Sequence, residues 1–163
     1  MEIIKNNKKF IVGGVYRHPN QNVQLFTEQI EINLNRLSSG KIPCVIVGDI
    51  NIDLLKFETN VPTKTYLNAL IENNFLPSLL LPTRVTNHST TLIDHIYYYR
   101  GKNRSCDGQI SSGNILTDIS DHLTNFIILY TNKSKFNYAD RPFVRLHNKK
   151  NNQQFSNLLS MID

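Results

Sequence analysis

A carboxylate and an amide follow an apolar run in the segment Val45-Ile46-Val47-Gly48-Asp49-Ile50-Asn51. The β-branched run from Ile42 to Val47 predicts a strand that is covered on both faces. Asp49 and Asn51 lie two positions apart, so an extended backbone would point both side chains to the same side. Such a pair can hold a water molecule beside an ester phosphate, and ligand sites in α/β proteins gather at strand exits. An Asx-type turn is the structural alternative that this segment leaves open.

A second candidate pair joins Asp94 to His122. Asp94 lies in the alternating segment Leu92 to Tyr98, which predicts a strand with a half-buried carboxylate that needs a partner. A histidine needs an acceptor at one ring nitrogen to present the other in a fixed state, and Asp94 is the candidate acceptor. The alternatives are a salt bridge between Asp94 and Arg84 and a turn with a surface histidine. His95, next in the chain, should face the other way and is interpreted as structural.

Four further side chains are candidates for contacts with phosphate or substrate. Tyr16 and Arg17 end the predicted strand that begins at Phe10, and a phenol beside a guanidinium suits a phosphate. Arg84 and Thr91 lie just upstream of Asp94. The alternative for the Tyr-Arg pair is a turn with surface aromatic residues.

The predicted elements place these side chains at strand ends. Helical periodicity predicts a helix from Asn22 to Leu37 between the strands that begin at Phe10 and Ile42, and this order is typical of a parallel strand pair. A second helix is predicted from Thr65 to Phe75, and an irregular edge or connection from Leu76 to Leu81. After the strand that carries Asp94, the pattern predicts a short strand from Asn114 to Thr117 and an apolar strand from Leu123 to Tyr130.

Composition narrows the class of protein. The chain has 163 residues, 40% of them hydrophobic, and a formal net charge of +5, which favours polyanionic partners such as nucleic acid. Its two cysteines, Cys44 and Cys106, form neither a disulfide framework nor a zinc pattern, so we expect a reducing, intracellular compartment. The sequence contains no signal peptide and no membrane span.

Four motifs occur in a fixed order, each at or beside a predicted strand end. They are Tyr16-Arg17, Gly48-Asp49-Ile50-Asn51, Thr91-Leu92-Ile93-Asp94-His95 and Ser120-Asp121-His122. This order resembles the endonuclease/exonuclease/phosphatase superfamily, which includes DNase I-like nucleases and abasic-site endonucleases. Two further patterns resemble more specifically the endonuclease domain of non-LTR (LINE-type) retrotransposons. They are Gly13-Gly14-Val15-Tyr16-Arg17-His18-Pro19-Asn20, and Pro82-Thr83-Arg84-Val85-Thr86 with Ser89-Thr90-Thr91-Leu92-Ile93-Asp94.

The resemblance implies a four-layer α/β sandwich of the DNase I-like type and hydrolysis of phosphodiesters. By motif, Asp49 would orient or deprotonate the attacking water, and Asn51 would help to hold the water and the scissile phosphate. His122, steadied by Asp94, would stabilise the charged transition state or move a proton.

The resemblance also implies a divalent metal, Mg²⁺ or Mn²⁺, for which oxygen-rich ligands are suited. Asp121 would lie on the metal side. Tyr16 would contact the phosphate, and Arg17, Arg84 and Thr91 are the other candidates for substrate contacts.

The chain departs from the family pattern at its start. The first half of the family domain carries an Asn on an early strand and a metal-binding Glu, whereas Glu2 lies close to the terminus with no strand predicted around it. We therefore expect an N-terminally truncated copy, with an incomplete sandwich in residues 1–132. Residues 133–163 resemble a polar, basic connector toward a reverse transcriptase, in which Phe155, Leu158 and Leu159 would begin a helix.

Three functions follow as alternatives. The first is a Mg²⁺-dependent DNA endonuclease that nicks target DNA, with DNA and the reverse transcriptase domain of the same element as partners and the nucleus as a plausible location. The second is a catalytically inactive remnant that retains at most nucleic-acid binding. The third, a phosphatase of small phosphoesters, is disfavoured by the basic charge.

Overall fold

The chain divides into two units, Met1–Lys133 and Ser134–Asp163. The computed structural model describes residues 1–102, 110–117, 119–130, 153 and 157. In the second unit, therefore, only Gln153 and Asn157 are described, and both are helical and exposed. Cys106 and the side chains predicted to begin a helix in the connector lie outside the described residues, so the connector stays a prediction.

The first unit is built around one mixed sheet. Its elements are β1 (Glu2–Lys5), β2 (Lys8–Gly14), α1 (Val23–Ser39), β3 (Cys44–Asp49), α2 (Val61–Glu72), β4 (Leu76–Pro77), β5 (Arg84–Val85), β6 (Thr90–Thr91), β7 (Asp94–Tyr99), β8 (Ile110–Ile115) and β9 (Thr124–Leu129). Five strands form the sheet in the order β1-β2-β3-β7-β4, while β5 pairs with β6 and β8 pairs with β9.

Strand β3 lies in the middle of this sheet. It runs parallel to β2, with α1 as the connection, and antiparallel to β7. The predicted parallel pair is thus confirmed. The register places Val47 opposite Gly14 on one side and opposite Ile96 on the other. Both neighbours of β3 therefore bring their polar ends close to Asp49.

The two faces of the sheet are covered differently because successive side chains of a strand alternate between faces. Cys44 and Ile46 point toward the helices and pack in a cluster with Phe26, Ile30 and Leu34 of α1 and Tyr66 and Leu70 of α2. Val45 and Ile96 point the other way, into a smaller cluster against which Ile127 and Leu129 of β9 pack. This arrangement confirms the α/β class, whereas the four-layer sandwich and its incompleteness stay predictions.

Three elements differ from the sequence-based expectation, the first being β8, which runs from Ile110 to Ile115 and not from Asn114 to Thr117. Glu2 lies in a strand, because Asn6 and Asn7 adopt φ values of 51° and 60° and turn β1 back onto β2; positive φ at both central residues is what a tight type I′ hairpin requires. Helix α2 begins at Val61 rather than at Thr65, because the Asn60 side chain caps it by accepting a hydrogen bond from Thr63 N at 3.0 Å. Among the described residues, neither helix has the length and apolar character needed to cross a bilayer.

Candidate active site

Asp49 and Asp94 lie opposite each other at the ends of the neighbouring strands β3 and β7. Asp49 ends β3, Asp94 begins β7, and the two residues are Cα partners in the antiparallel register. Directly opposed side chains in such a pair have Cβ atoms about 4.5–5.5 Å apart. Strand pairing alone therefore brings together two carboxylates that are distant in the sequence.

His122 reaches the same place through contacts with the β5 segment. Leu123 N donates to Thr83 O at 2.7 Å, Val85 N donates to Asp121 O at 2.9 Å, and Arg84 forms an isolated β-bridge with His122. The imidazole Nδ1 then lies 2.9 Å from Asp94 Oδ2. The predicted contact between Asp94 and His122 is present, and it assigns the proton to Nδ1, because an ionised carboxylate only accepts hydrogen bonds.

Asn51 lies beside this pair in a backbone conformation that the sequence did not predict. Its φ is 54°, so the backbone is not extended from Asp49 to Asn51, and the predicted extended conformation is wrong here. Instead, Asn51 N donates a hydrogen bond to Asp49 Oδ1 at 3.3 Å. This is the Asx-type turn, the structural alternative for this segment. The Asn51 side chain donates from Nδ2 to Arg17 O at 2.9 Å.

Arg17 does not offer its guanidinium to a phosphate, and this prediction is corrected. The side chain is 2% exposed. Nε donates to Ile50 O and Nη2 to Asn51 O, both at 2.7 Å, while Nη1 donates to Gln21 O. A buried guanidinium needs acceptors for its donors, and here backbone carbonyls supply them. Arg17 therefore positions the loop that follows Asp49.

Arg84 and Asp121 form an ion pair with each other rather than with the carboxylate pair. Arg84 Nε lies 2.7 Å from Asp121 Oδ2, and about two-fifths of each side chain is exposed (42% and 43%). The hydrogen bond from Arg84 lowers the pKa of Asp121 below its usual value. The alternative of a salt bridge between Arg84 and Asp94 is thus wrong, and the predicted role of Asp121 at a metal has no support from its position.

The remaining two predicted substrate residues lie at the surface. Tyr16 is 65% exposed, next to the buried Arg17. Thr91 is half-buried and pairs with Arg84 in the register of β5 and β6. Both side chains are accessible, and their contacts with a phosphate stay predictions.

Thr83, whose hydroxyl the sequence offers to Asp94 from just upstream together with Arg84 and Thr91, is a positioning residue. It is completely buried, and its hydroxyl oxygen accepts hydrogen bonds from Ile93 N at 3.1 Å and Asp94 N at 2.9 Å. Its backbone carbonyl also accepts from Leu123 N, as described above, so one residue fixes the strand that carries Asp94 and the segment that carries His122. A Pro-Thr-Arg segment has no local signal for this double role.

His95 is structural, as predicted from its position next to Asp94. It is 2% exposed, with Nε2 2.9 Å from Ile52 O and Nδ1 3.3 Å from the hydroxyls of Tyr66 and Tyr97. Burial lowers the pKa of His95 to about 4, so the ring is neutral at pH 7.

The side chains of Asp49, Asp94 and His122 could together hold a metal ion. One ligand atom from each residue lies within 4.8 Å of the others, and all three residues are half-buried. Two carboxylates and an imidazole can aim a water molecule, hold a cation or move a proton. These are the tasks that hydrolysis of an ester phosphate requires.

Comparison with solved structures places the chain in a known fold. One match is the endonuclease domain of TRAS1, a telomere-specific non-LTR retrotransposon, with a TM-score of 0.59 and 16% identity over 79% of this chain and 59% of that one. Another is an endonuclease/exonuclease/phosphatase family protein from Leptotrichia buccalis, with a TM-score of 0.54 and 13% identity over 78% of this chain and 52% of that one. The chain has the endonuclease/exonuclease/phosphatase fold.

This endonuclease/exonuclease/phosphatase-fold chain spans little more than half of the length of the two structures, 59% and 52%. Neither a protein-family model nor a curated protein matches its sequence. The similarity is therefore one of fold. The chemistry has to be argued from the side chains of this chain.

Proposed function

We propose that the chain is a divalent-metal-dependent endonuclease that hydrolyses phosphodiester bonds of DNA. The observation that carries the proposal is the convergence of Asp49, Asp94 and His122 from three separate segments onto one point. The net charge of +5 supports a polyanionic substrate. By analogy with the retrotransposon endonuclease of the same fold, we propose that the nick is made at a target site, where its free end would prime the reverse transcriptase of the same element.

Each polar group has a task in this reaction. The Asp49 carboxylate orients the attacking water and accepts its proton. The Asn51 amide, held against Arg17 O, lies beside the scissile phosphate. Asp94 fixes the His122 ring through Nδ1, so that Nε2 can stabilise the charge that develops on the phosphate or move a proton. Tyr16 and Thr91 contact the phosphate at the surface.

The carboxylates of Asp49 and Asp94 suit Mg²⁺ or Mn²⁺, which prefer oxygen ligands and retain several waters. A cation bound there would supply positive charge against the negative charge of the transition state. Asp121 is less suited than these two residues, because its carboxylate is already paired with Arg84.

A plasmid-nicking assay tests the proposal. With Mg²⁺ present, the wild-type chain should convert supercoiled DNA to open circles, and EDTA should prevent this. Asp49→Asn and His122→Gln should each lower the rate by about 10²–10⁴-fold, the usual contribution of a positioned acid or base. His88→Gln is the matched control, because His88 is an exposed histidine in a turn outside the cluster.

Nicking that persists in both Asp49→Asn and His122→Gln would contradict the proposal, as would nicking in EDTA. If no chain nicks DNA but DNA still binds in a gel-shift assay, the inactive-remnant alternative is favoured. Cleavage of small phosphomonoesters without nicking would favour the phosphatase alternative.

A further inference from the structure

Asp49, Asp94 and His122 differ from a pure carboxylate cluster because one of the three ligands is an imidazole. We propose that these three side chains bind one ion of a borderline metal such as Zn²⁺, and that this ion shuts the site off by replacing the hydrogen bond between Asp94 and His122. The metal-binding half stands on the geometry of the chain alone. The inhibitory half rests on the proposed endonuclease function.

The choice of metal follows from the ligand types. Mg²⁺ binds oxygen and keeps its waters, so it would use the carboxylates and leave the imidazole in its hydrogen bond. Imidazole favours Zn²⁺, Cu²⁺ and Ni²⁺, whose affinity for mixed nitrogen and oxygen sites exceeds that of Mn²⁺. Three protein ligands and one water form a common Zn²⁺ site. The same three residues therefore offer different ligand sets to the two kinds of ion.

The distances fit a tetrahedral ion with small adjustments. Zn²⁺ bonds of about 2.0–2.2 Å at tetrahedral angles place neighbouring ligand atoms roughly 3.3–3.6 Å apart. Asp94 Oδ2 and His122 Nδ1 are 2.9 Å apart, and the three ligand atoms lie within 4.8 Å of one another. Bound Zn²⁺ would separate the first pair slightly and draw Asp49 inward. Rotation of side chains that are only half-buried can supply such shifts.

Electrostatics favours a divalent occupant. Asp49 and Asp94 are directly opposed across the strand pair, and like charges in that position repel each other. A divalent ion at the site would offset both negative charges. The proposed ion binds His122 at Nδ1 and so takes the place of the proton that this nitrogen donates to Asp94, whereas an ion at Nε2 would leave the hydrogen bond intact.

Spectroscopic titration with Co²⁺, followed by displacement with Zn²⁺, tests the metal site on the full chain without any activity measurement. We expect one ion per chain, with the absorption of a four- or five-coordinate site. Asp49→Asn, Asp94→Asn and His122→Ala should each weaken binding by more than about 100-fold, because even the loss of an outer-shell partner costs 10–100-fold. Asp121→Asn and His88→Ala are matched controls that should bind as the wild type does.

Zn²⁺ should also raise the melting temperature of the wild type and of both controls, since a ligand that binds only the native state stabilises it. This second measurement also identifies a variant that has failed to fold, and His122→Gln then replaces His122→Ala. Binding that is unaffected by loss of His122, or that is lost in Asp121→Asn, overturns the proposal.

The inhibitory half is tested by nicking in Mg²⁺ with increasing Zn²⁺. We expect nicking to fall in proportion to the occupancy measured in the titration and to return when a Zn²⁺-selective chelator is added. Zn²⁺ that binds at the three residues and leaves nicking unchanged overturns the inhibitory half. If Zn²⁺ binds at the three residues but the chain does not nick DNA under any condition, the proposed function is contradicted while the metal site is supported.

Discussion

Arg17 and Asn51 hold each other through reciprocal hydrogen bonds at the candidate active site. Arg17 donates from its guanidinium to the carbonyl of Asn51, and Asn51 donates from its side chain to the carbonyl of Arg17. Arg17 N also donates to Asp49 O at 3.1 Å. Together these bonds hold the loop in which Asn51 has positive φ. Arg17 thus positions this loop through the backbone, and its guanidinium is engaged by carbonyl oxygens.

Arg17→Lys should separate this positioning role from phosphate binding. Lysine lacks the planar fork that reaches three carbonyls, so we expect the free energy of unfolding to fall by about 1.5–3 kcal/mol, the scale of hydrogen bonds from a charged group. The kcat of nicking should fall while KM changes little. Urea denaturation and steady-state nicking measure the two effects.

Arg36→Lys is the matched control, because Arg36 is exposed on α1. It should change neither stability nor kcat. A raised KM in Arg17→Lys with unchanged stability would contradict the positioning role and would indicate that Arg17 binds the phosphate directly.

Residue types alone predicted some of these contacts and not others. The contact between Asp94 and His122 was predictable because a half-buried carboxylate and a histidine at strand ends each need a partner. The role of Arg17 was not predictable, because a guanidinium can donate its hydrogen bonds equally well to a phosphate or to a set of carbonyl oxygens. Asn51 was misjudged because the sequence does not show where the extended backbone ends.

At the scale of elements, Gly48 decides how closely β3 approaches the chain that follows β2. A Cβ atom at Gly48 would lie 1.7 Å from Val15 O, so only glycine fits beside that carbonyl. Val15 N also donates a hydrogen bond to Val47 O at 2.9 Å, and Asp49 is the residue that follows Gly48. The position of the Asp49 carboxylate therefore depends on a backbone contact one residue earlier.

Gly48→Ala should destabilise the protein by about 1–3 kcal/mol or more, the range for overpacking, because backbone rather than a flexible side chain meets the new methyl group. Nicking should fall as well, since Asp49 is displaced. Thermal unfolding and the nicking assay measure this.

Gly14→Ala is the control for this substitution. It introduces the same methyl group into the neighbouring strand, where nothing lies within 4 Å of the new Cβ. Equal effects of the two substitutions would show that the close approach to Val15 does not matter.

The strands and helices were predictable to the extent that local pattern determines them. The apolar stripe on α1 and the parallel pair of β2 and β3 followed from periodicity and order. The hairpin of β1 and β2 was missed because Asn6-Asn7 was not recognised as a turn, although asparagine tolerates positive φ. The early start of α2 was missed because Asn60 followed by Pro62 is a cap signal that lies outside the apolar stripe.

At the scale of the whole molecule, the buried His95 makes stability depend on pH. In the folded chain the pKa of His95 is about 4, and its ordinary value is 6.5. The unfolded chain therefore binds a proton between these values that the folded chain does not. Stability is fully present above about pH 6.5, falls as the pH decreases toward 4, and loses about 3 kcal/mol over that window.

Chemical denaturation at pH 7 and at pH 4 measures this effect. His95→Gln cannot take up the proton, so its stability should change less between the two pH values than that of the wild type by about 3 kcal/mol. An identical pH dependence in the two chains would show that other groups are responsible.

The superfamily could be predicted from the order of four short motifs, but the strand register through which they meet could not. No local pattern states that β3 pairs with β7 in the register that opposes Asp49 and Asp94. Thr83 illustrates the same limit, because its two contacts connect segments that are distant in the sequence.

His122 lies outside the central sheet that carries Asp49 and Asp94. Asp49 and Asp94 belong to the central sheet, whereas His122 lies two residues before β9 and is bridged to the two-residue strand β5, which pairs only with β6 among the named strands. Local opening of so small a unit requires less free energy than global unfolding. In a urea series, catalysis should therefore disappear before the far-ultraviolet circular dichroism of the sheet changes, and it should return at once on dilution. If activity and circular dichroism are lost at the same urea concentration, β5 and the sheet unfold as one cooperative unit.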